Sequence, residues 1–243
     1  SAASDVYKRQ HSRMVHFTLF GIPVYIRPSF WVVLAIFGGA LSISSVEDLI
    51  YPALFVIAGF VAILSHEMGH ALVGRKLGGG QQTIVLELFG GLTSSHGMQL
   101  TRGGRALMIL AGPMMTLLLG IISLGLTWNI VAPVMTSYNL NFWDLAISPF
   151  TAALISPKLY ILSCLIMIGE WWTILNLLPI YPLDGGQLIA QYIRSPRKVF
   201  MTGFITAILI GLLSFQLFHG YFIPIFMALF AYSNYREYKN APF

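Results

Sequence analysis

The feature that most restricts the fold of this chain is a set of long apolar runs almost free of charge. Residues 51–65 contain no charged side chain, and they lead directly into the sequence HEMGH at 66–70. Of the 243 residues only 9% are charged, whereas a soluble domain carries about 25%. In a bilayer the backbone polar groups must be paired within the protein, so such runs predict transmembrane helices.

Six segments approach the length of about 20 residues that a membrane span requires. They are residues 28–46, 51–74, 104–128, 159–180, 199–218 and 220–235. The predicted fold class is therefore an all-α polytopic membrane protein with about six transmembrane helices. The connection between the third and fourth spans contains Pro133, Asp144, Pro149 and Pro157, and we predict an interfacial loop there.

The distribution of basic residues predicts the orientation of these spans. If both termini are cytosolic, every lysine and arginine except Lys158 lies on the cytosolic side, as the positive-inside rule requires. His70 then precedes Arg75 by about 7.5 Å of helix, so the HEMGH sequence would lie near the cytosolic face. The expected location is the cell (inner) membrane.

Several other classes of protein are disfavoured. The net charge of +5 arises from short basic clusters between apolar runs, which favours membrane topology over nucleic-acid binding. The single cysteine, Cys164, excludes an intrachain disulfide. Residues 1–13 are polar, and we expect a disordered or artefactual extension before a single membrane domain at 14–243, with Met14 as a plausible start.

The HEMGH sequence itself predicts a metal site. An HExxH motif on a helix places two imidazoles at i and i+4 on one face, here His66 and His70, where they can share one zinc ion. Glu67 lies about 100° around the helix, close enough to act as a general base. The alternative is that these side chains form helix-packing hydrogen bonds.

A catalytic zinc usually has a third protein ligand. The candidates are His96, Glu87, Glu170, Asp184 and His219. Asp184 is best placed, because Pro179 and Pro182 break the fourth span at a depth comparable to that of His70. An aspartate at this position could instead cap the helix that follows it.

The combination of motifs resembles the site-2 protease family of intramembrane zinc metalloproteases. The resemblance rests on HEMGH at 66–70 and NLLPIYPLDGG at 176–186, with ELFGG at 87–91, and extends in order and spacing over residues 17–192. It implies a membrane-associated loop or β-hairpin at 81–96, after the HExxH helix. The family's Gly-Pro element is present at Gly112, but Thr116 stands where many members have asparagine.

The resemblance also implies a role for each matching residue. His66, His70 and Asp184 would be the ligands of one Zn²⁺ per chain, and Glu67 the catalytic base. Asn176 would stabilise the oxyanion, although it could serve only as an interhelical hydrogen-bonding residue. The residues at Gly90-Gly91 would bind an unwound substrate strand by backbone pairing.

The predicted activity is hydrolysis of peptide bonds within or near transmembrane segments of membrane-anchored substrates. The partners would be single-span transmembrane proteins, such as transcriptional regulators, anti-sigma factors or leftover signal peptides, together with the lipid bilayer and a regulatory membrane partner. The alternative is a non-enzymatic metal-binding or transport protein. A second rival is a membrane zinc protease that cuts soluble tails and takes its third ligand from a glutamate on a nearby helix.

The remaining polar candidates have less certain roles. We expect His96 to be an interfacial loop residue and His219 to lie in the outer turn between the last two spans. The role of Glu170, within the fourth span beside two tryptophans, stays open.

Overall fold

The structure is a computed structural model, and it describes residues 14–88, 90–138 and 148–242. The four strands are β1 (Val15–Leu19), β2 (Ile22–Ile26), β3 (Gln81–Glu87) and β4 (Gly90–His96). The eight α-helices of the described residues are α1 (Pro28–Phe37), α2 (Ile50–Gly78), α3 (Arg102–Tyr138), α4 (Pro149–Ala153), α5 (Pro157–Leu177), α6 (Asp184–Ala190), α7 (Pro196–Phe218) and α8 (Phe222–Asn240). The prediction for residues 1–13 lies outside the described residues.

Four helices of the described residues are long and apolar enough to cross a membrane. They are α2, α3, α5 and α7, and they match the second to fifth predicted spans. The first predicted span forms only the ten-residue helix α1, because the chain turns at Gly38. The sixth corresponds to α8, whose apolar part ends before Arg236. A helical membrane protein is thus confirmed, whereas the predicted number of six spans is not.

The four strands form one sheet in the order β1-β2-β3-β4. β1 and β2 pair antiparallel, β2 and β3 pair parallel, and β3 and β4 pair antiparallel from Gln81 opposite His96 to Glu87 opposite Gly90. The hairpin predicted at 81–96 is therefore present, as β3 and β4. The β1–β2 hairpin was not predicted from the sequence. Its turn residues Phe20 and Gly21 have φ of 50° and 74°, as two-residue hairpins favour.

One face of the sheet packs against α1 and α2 to form a core. Ile22, Val24 and Ile26 of β2 and Ile84 and Leu86 of β3 are at most 2% exposed. They pack with α1 and with the buried α2 side chains Ile63, Met68 and Ala71. The alternation of apolar residues at every second position of β2 produces this buried face. The core fixes the sheet beside the HEMGH turn of α2.

The third span is longer than predicted. α3 continues to Tyr138, so Pro133 lies within a helix and not in the predicted interfacial loop. A proline removes one helical hydrogen bond, but the apolar residues that precede it keep the segment helical. The short helix α4 then begins at Pro149, with Ser148 accepting a hydrogen bond from the backbone N–H of Thr151. Asp144 lies outside the described residues.

The helical structure is interrupted between α5 and α7. α5 ends at Leu177, two residues before Pro179, and α6 begins at Asp184. Ile180 is fully buried between α7 and α8, where it packs with Ala207, Met227 and Ala231. The helix pair α7–α8 therefore encloses the break predicted in the fourth span. The two helices are joined at His219, whose φ is 51°, so the predicted turn is present.

Candidate metal centre

Two histidines of α2 converge on one point. His66 and His70 are one helical turn apart and are 2% and 8% exposed. Their Nε2 atoms lie 3.1 Å from each other. Two ligands of a tetrahedral zinc with bonds near 2.0 Å would lie about 3.3 Å apart. The i, i+4 spacing thus produces the expected pair of nitrogens.

Asp184 reaches the same point from the break after α5. Its Oδ2 lies 3.0 Å from His66 Nε2 and 3.4 Å from His70 Nε2. Gly185 and Gly186 pack so closely on the backbone of residues 177–181 that a Cβ at either position would clash. Asp184 is the first residue of α6, the cap position is Leu183, and no side chain caps the helix. The helix-cap alternative for Asp184 is therefore wrong.

The donor atoms fit a divalent metal ion. His70 Nδ1 lies 2.9 Å from the carbonyl oxygen of Met108, which only accepts, so Nδ1 carries the proton and Nε2 presents a lone pair. Asp184 Oδ2 is fully buried and makes no hydrogen bond within the described residues. A buried carboxylate oxygen requires a compensating partner. Two imidazole nitrogens, of which His70 Nε2 presents a lone pair, and one carboxylate oxygen at this separation provide a site for a zinc-like cation.

The backbone of α3 forms one wall of this site. A Cβ added at Gly112 would overlap His70 Nε2 and would lie 2.9 Å from His66 Nε2. The space between α3 and the two imidazoles therefore admits no side chain. This contact explains why a glycine precedes Pro113 in the middle of a span.

Glu67 lies beside the histidines and faces the sheet. Its side chain is buried, at 5% exposure, and its Oε2 accepts a hydrogen bond of 2.7 Å from the Thr93 hydroxyl. A Cβ at Gly91 would clash with the Glu67 side chain. Ligand atoms of His66, Glu67 and His70 all lie within 4.8 Å of one another. A carboxylate next to a metal position has the location required of a general base.

A known protein family matches the part of the chain that contains these motifs. The sequence profile of Peptidase family M50 matches residues 54–218, which contain every residue of the proposed metal site. The chain belongs to this family.

Relatives of this family M50 member carry zinc metalloprotease names. A zinc metalloprotease of Methanocaldococcus jannaschii is 29% identical over 227 residues, which are 89% of this chain and 57% of the relative. A candidate zinc metalloprotease of Synechocystis sp. is 28% identical over 188 residues, which are 72% of this chain and 43% of the relative. The chain thus spans about half the length of these curated relatives.

A solved structure shows the same fold. The site-2 protease from Methanocaldococcus jannaschii superposes with a TM-score of 0.58 at 24% identity, covering 93% of this chain and 95% of that chain. The sequence-based resemblance to site-2 proteases is confirmed by this match together with the family M50 profile.

A cavity of about 580 Å³ opens from the metal site of this family M50 member. Its polar lining includes His66, Glu67, His70, Asp184 and Asn176, and its apolar lining includes Phe226 and Leu229 of α8. Asn176 is 9% exposed, and its Nδ2 donates a hydrogen bond of 2.9 Å to the carbonyl oxygen of Trp172 in its own helix. That bond is within α5, so the structure shows no interhelical hydrogen bond from Asn176 among the described residues.

The other sequence candidates lie away from the metal site. His96 is exposed at the end of β4, and His219 is exposed in the turn before α8. Glu87 forms an ion pair of 2.8 Å with Arg27 on the sheet. Glu170 is exposed on α5. None of these four lines the cavity that contains Asp184.

Sequence reasoning missed two polar contacts around the site. Thr93 was not singled out, although it lies two residues after the Gly90-Gly91 pair. Asn234 is a buried polar residue in the last apolar helix, and its Nδ2 donates a hydrogen bond of 2.6 Å to the carbonyl oxygen of Tyr181. An amide in a predicted span is a usable signal, since polar groups in lipid are costly. The hydroxyl of Thr116 on α3 lies 2.9 Å from the Thr173 hydroxyl of α5.

Proposed function

We propose that this chain is an intramembrane zinc metalloprotease that hydrolyses peptide bonds within or near transmembrane segments. The observation that carries the proposal is the convergence of His66, His70 and Asp184 with Glu67 beside them. The cavity that they line lies among helices apolar enough to cross a membrane. The family M50 match and the names of the relatives support the same activity.

In this proposal His66, His70 and Asp184 hold one zinc ion. When bound, zinc supplies the Lewis acidity that makes water a nucleophile at neutral pH and polarises a peptide carbonyl. The hydrogen bond from His70 Nδ1 to Met108 fixes the orientation of that imidazole. Three protein ligands leave one coordination position for the reacting groups.

Glu67 would be the general base and then the general acid. Its carboxylate would take a proton from the attacking water and later give it to the leaving amine. The leaving nitrogen requires that proton because an amide anion is a very poor leaving group. Glu67 is buried next to the proposed ligands, which keeps this proton in a site shielded from bulk water.

Asn176 would stabilise the negative oxygen that develops on the substrate carbonyl. Its amide carries two N–H groups, and the bond to Trp172 uses one of them. The other can donate into the cavity that Asn176 lines. A donor directed at a developing charge in a water-poor site lowers the barrier to reaction.

We propose that a substrate segment unwinds and pairs with β4, the outer strand of the sheet, near Gly90 and Gly91. A helical substrate hides its amides in intrahelical bonds, so cleavage requires local unwinding. Helix-breaking residues near the cut should therefore favour cleavage. Substrates would be single-span membrane proteins such as transcriptional regulators, anti-sigma factors or leftover signal peptides, and a regulatory membrane partner would control access.

We further propose that the segment 28–46, which begins with α1, and the helix α8 complete six spans, with both termini cytosolic in the cell (inner) membrane. The basic residues Arg75 and Lys76 at the end of α2 support this orientation. Single cysteines introduced at Lys76 and at Lys158 test it in intact cells. A membrane-impermeant maleimide should label the cysteine at position 158 and not the one at position 76. The opposite pattern would show that the topology is the reverse of the one proposed.

The decisive experiment is Glu67→Gln. The variant should retain zinc, because the three ligands remain, and should lose nearly all cleavage of a single-span substrate, at least about 100-fold, because the base is absent. Purified protein in proteoliposomes, mass mapping of the cut and metal analysis measure both quantities. Glu47→Gln, in a 3₁₀ turn before α2, is the matched control and should cleave normally.

Two results would contradict this function. Unchanged cleavage by Glu67→Gln would remove Glu67 from the mechanism. Zinc binding without any cleavage by the unmutated protein would favour a metal-binding or transport protein instead.

A further inference from the structure

The Glu67 side chain is held by β4. Its Oε2 lies 2.7 Å from Thr93 Oγ1, and Gly91 lies against its Cγ, Cδ and Oε1 atoms. The strand that contains both residues begins at Gly90, directly over the HEMGH turn of α2. Two positions on the same face of one strand therefore contact the same carboxylate.

The Thr93 hydroxyl has one proton and two acceptors within reach. These are Glu67 Oε2 at 2.7 Å and the backbone carbonyl oxygen of Glu67 at 3.2 Å. A distance near 2.7 Å is typical of an O–H···O bond, whereas 3.2 Å is long for one. A charged acceptor also forms the stronger bond. The Thr93 hydroxyl therefore donates its hydrogen bond to the Glu67 carboxylate.

The two oxygens of Glu67 consequently differ. Oε2 is occupied by Thr93, while Oε1 makes no hydrogen bond within the described residues and lies next to Gly91. Both Gly91 and Thr93 line the cavity of the metal site. Each carboxylate oxygen has two lone pairs, so the Thr93 bond leaves one free on Oε2 and both free on Oε1, and Oε1 is the more available acceptor for a proton from the cavity.

We propose that Thr93 is a positioning residue that orients the Glu67 carboxylate so that Oε1 accepts and returns the proton. The proposal rests on the protease function proposed above. The Thr93 bond survives the transfer, because Oε2 of a protonated carboxyl group still accepts a hydrogen bond when the proton is on Oε1. The water proton moves to Oε1 and then to the leaving amine, so no other proton donor is required.

Gly91, on the same face of β4 as Thr93, makes room for the carboxylate. A Cβ there would overlap Cγ of Glu67, so the carboxylate fits only because position 91 has no side chain. Thr93 pulls the carboxylate toward β4, and Gly91 makes room for it there. The sheet thus contributes to the rotamer that Glu67 adopts on α2.

The test uses Thr93→Val, which keeps the branched shape and removes the hydroxyl. Loss of a group that orients a catalytic side chain typically costs about 10- to 100-fold in activity. We expect kcat to fall by that factor while KM for a single-span substrate changes less than about twofold and zinc content stays unchanged. Thr93→Ser, which retains the hydroxyl, should restore most of kcat.

Thr83→Val is the matched control, since Thr83 lies on the neighbouring strand β3, opposite Ser94, and has no contact with Glu67 in the hydrogen bonds described. It should have wild-type kcat. Equal losses in Thr93→Val and Thr93→Ser would overturn the proposal, because retention of the hydroxyl would then not preserve kcat. A rise in KM at constant kcat would also overturn it and assign Thr93 to substrate binding.

A second measurement does not depend on catalysis. Thermal unfolding midpoints of the wild type, Thr93→Val, Glu67→Ala and the double variant form a double-mutant cycle. If the bond exists, Thr93→Val should lower the midpoint less in the Glu67→Ala background than in the wild type. Equal shifts in both backgrounds would overturn the contact. Coupled midpoints in a protein that cleaves nothing would leave the contact standing and overturn the protease function.

Discussion

The two regions that supply the proposed ligands are built in different ways. His66 and His70 lie on α2, an uninterrupted helix of 29 residues, and their spacing follows from helix geometry alone. Asp184 follows a helix break, a cis bond between Tyr181 and Pro182, and the start of the seven-residue helix α6. Its position depends on contacts with other helices.

The contacts around Asp184 come from the α7–α8 pair. Asn234 of α8 donates to the carbonyl oxygen of Tyr181 at 2.6 Å and to that of Phe230 at 2.9 Å. Gly203 of α7 lies so close to Asn234 Oδ1 that a Cβ there would clash. The difference shows that two of the three proposed ligands are positioned by one helix, whereas the position of the third depends on the packing of the last two helices.

Removal of the third ligand should have the largest effect. Asp184→Ala leaves two histidines, which are too few for a catalytic zinc site, so zinc content should fall well below one per chain. Cleavage should fall at least about 100-fold for the same reason. Metal analysis of purified protein and a cleavage assay measure these two losses.

Asp48→Ala is the control for this substitution, since Asp48 accepts hydrogen bonds from Ser44 and Ser45 far along the chain from the site. It should keep both zinc and activity. If Asp184→Ala instead retained full zinc, the third ligand would have to come from elsewhere, as in a protease that uses a glutamate on a nearby helix.

A smaller effect should follow from loosening the Asp184 segment without removing its carboxylate. Asn234→Ala deletes the bond to Tyr181 while leaving α2 untouched. Loss of a group that orients a metal ligand typically reduces metal affinity by about 10- to 100-fold. The lower end is expected here, because the Asn234 bond is to Tyr181, which lies three residues before Asp184. Chelator competition measures the affinity.

Asn129→Ala provides the comparison, because the Asn129 amide donates only to Gly125 of its own helix. Its zinc affinity should equal that of the wild type. Equal affinities in Asn234→Ala and Asn129→Ala would mean that the break holds Asp184 in place without help from α8.

The residues of the proposed metal site could be selected from the sequence because the signals are local, and their roles as ligands stay a prediction. HExxH spacing places the two histidines and Glu67 in any helix, and the charge-free run before them indicates a membrane. Asp184 was identified because two prolines break an apolar span beside a carboxylate. The structure then brought its Oδ2 to within 3.0 Å of His66 Nε2.

Features that depend on pairing between distant segments were not predictable in this way. The β1–β2 hairpin joins the sheet through Val24, Tyr25 and Ile26, which pair with residues 84–86 of β3. Its apolar alternation is too short to distinguish a strand from the start of a span. The hydrogen bonds from Thr93 and Asn234 likewise connect residues 26 and 53 positions apart.

The bare backbone of α3 at Gly112 has a consequence for small-molecule inhibitors. A metal-binding group that enters the site meets peptide backbone on that side, so it must be flat and unsubstituted there. Substituents can extend toward β4 or toward Phe226 and Leu229 of α8, which line the same cavity. We therefore expect selectivity between members of family M50 to reside in those two surfaces and not at the metal.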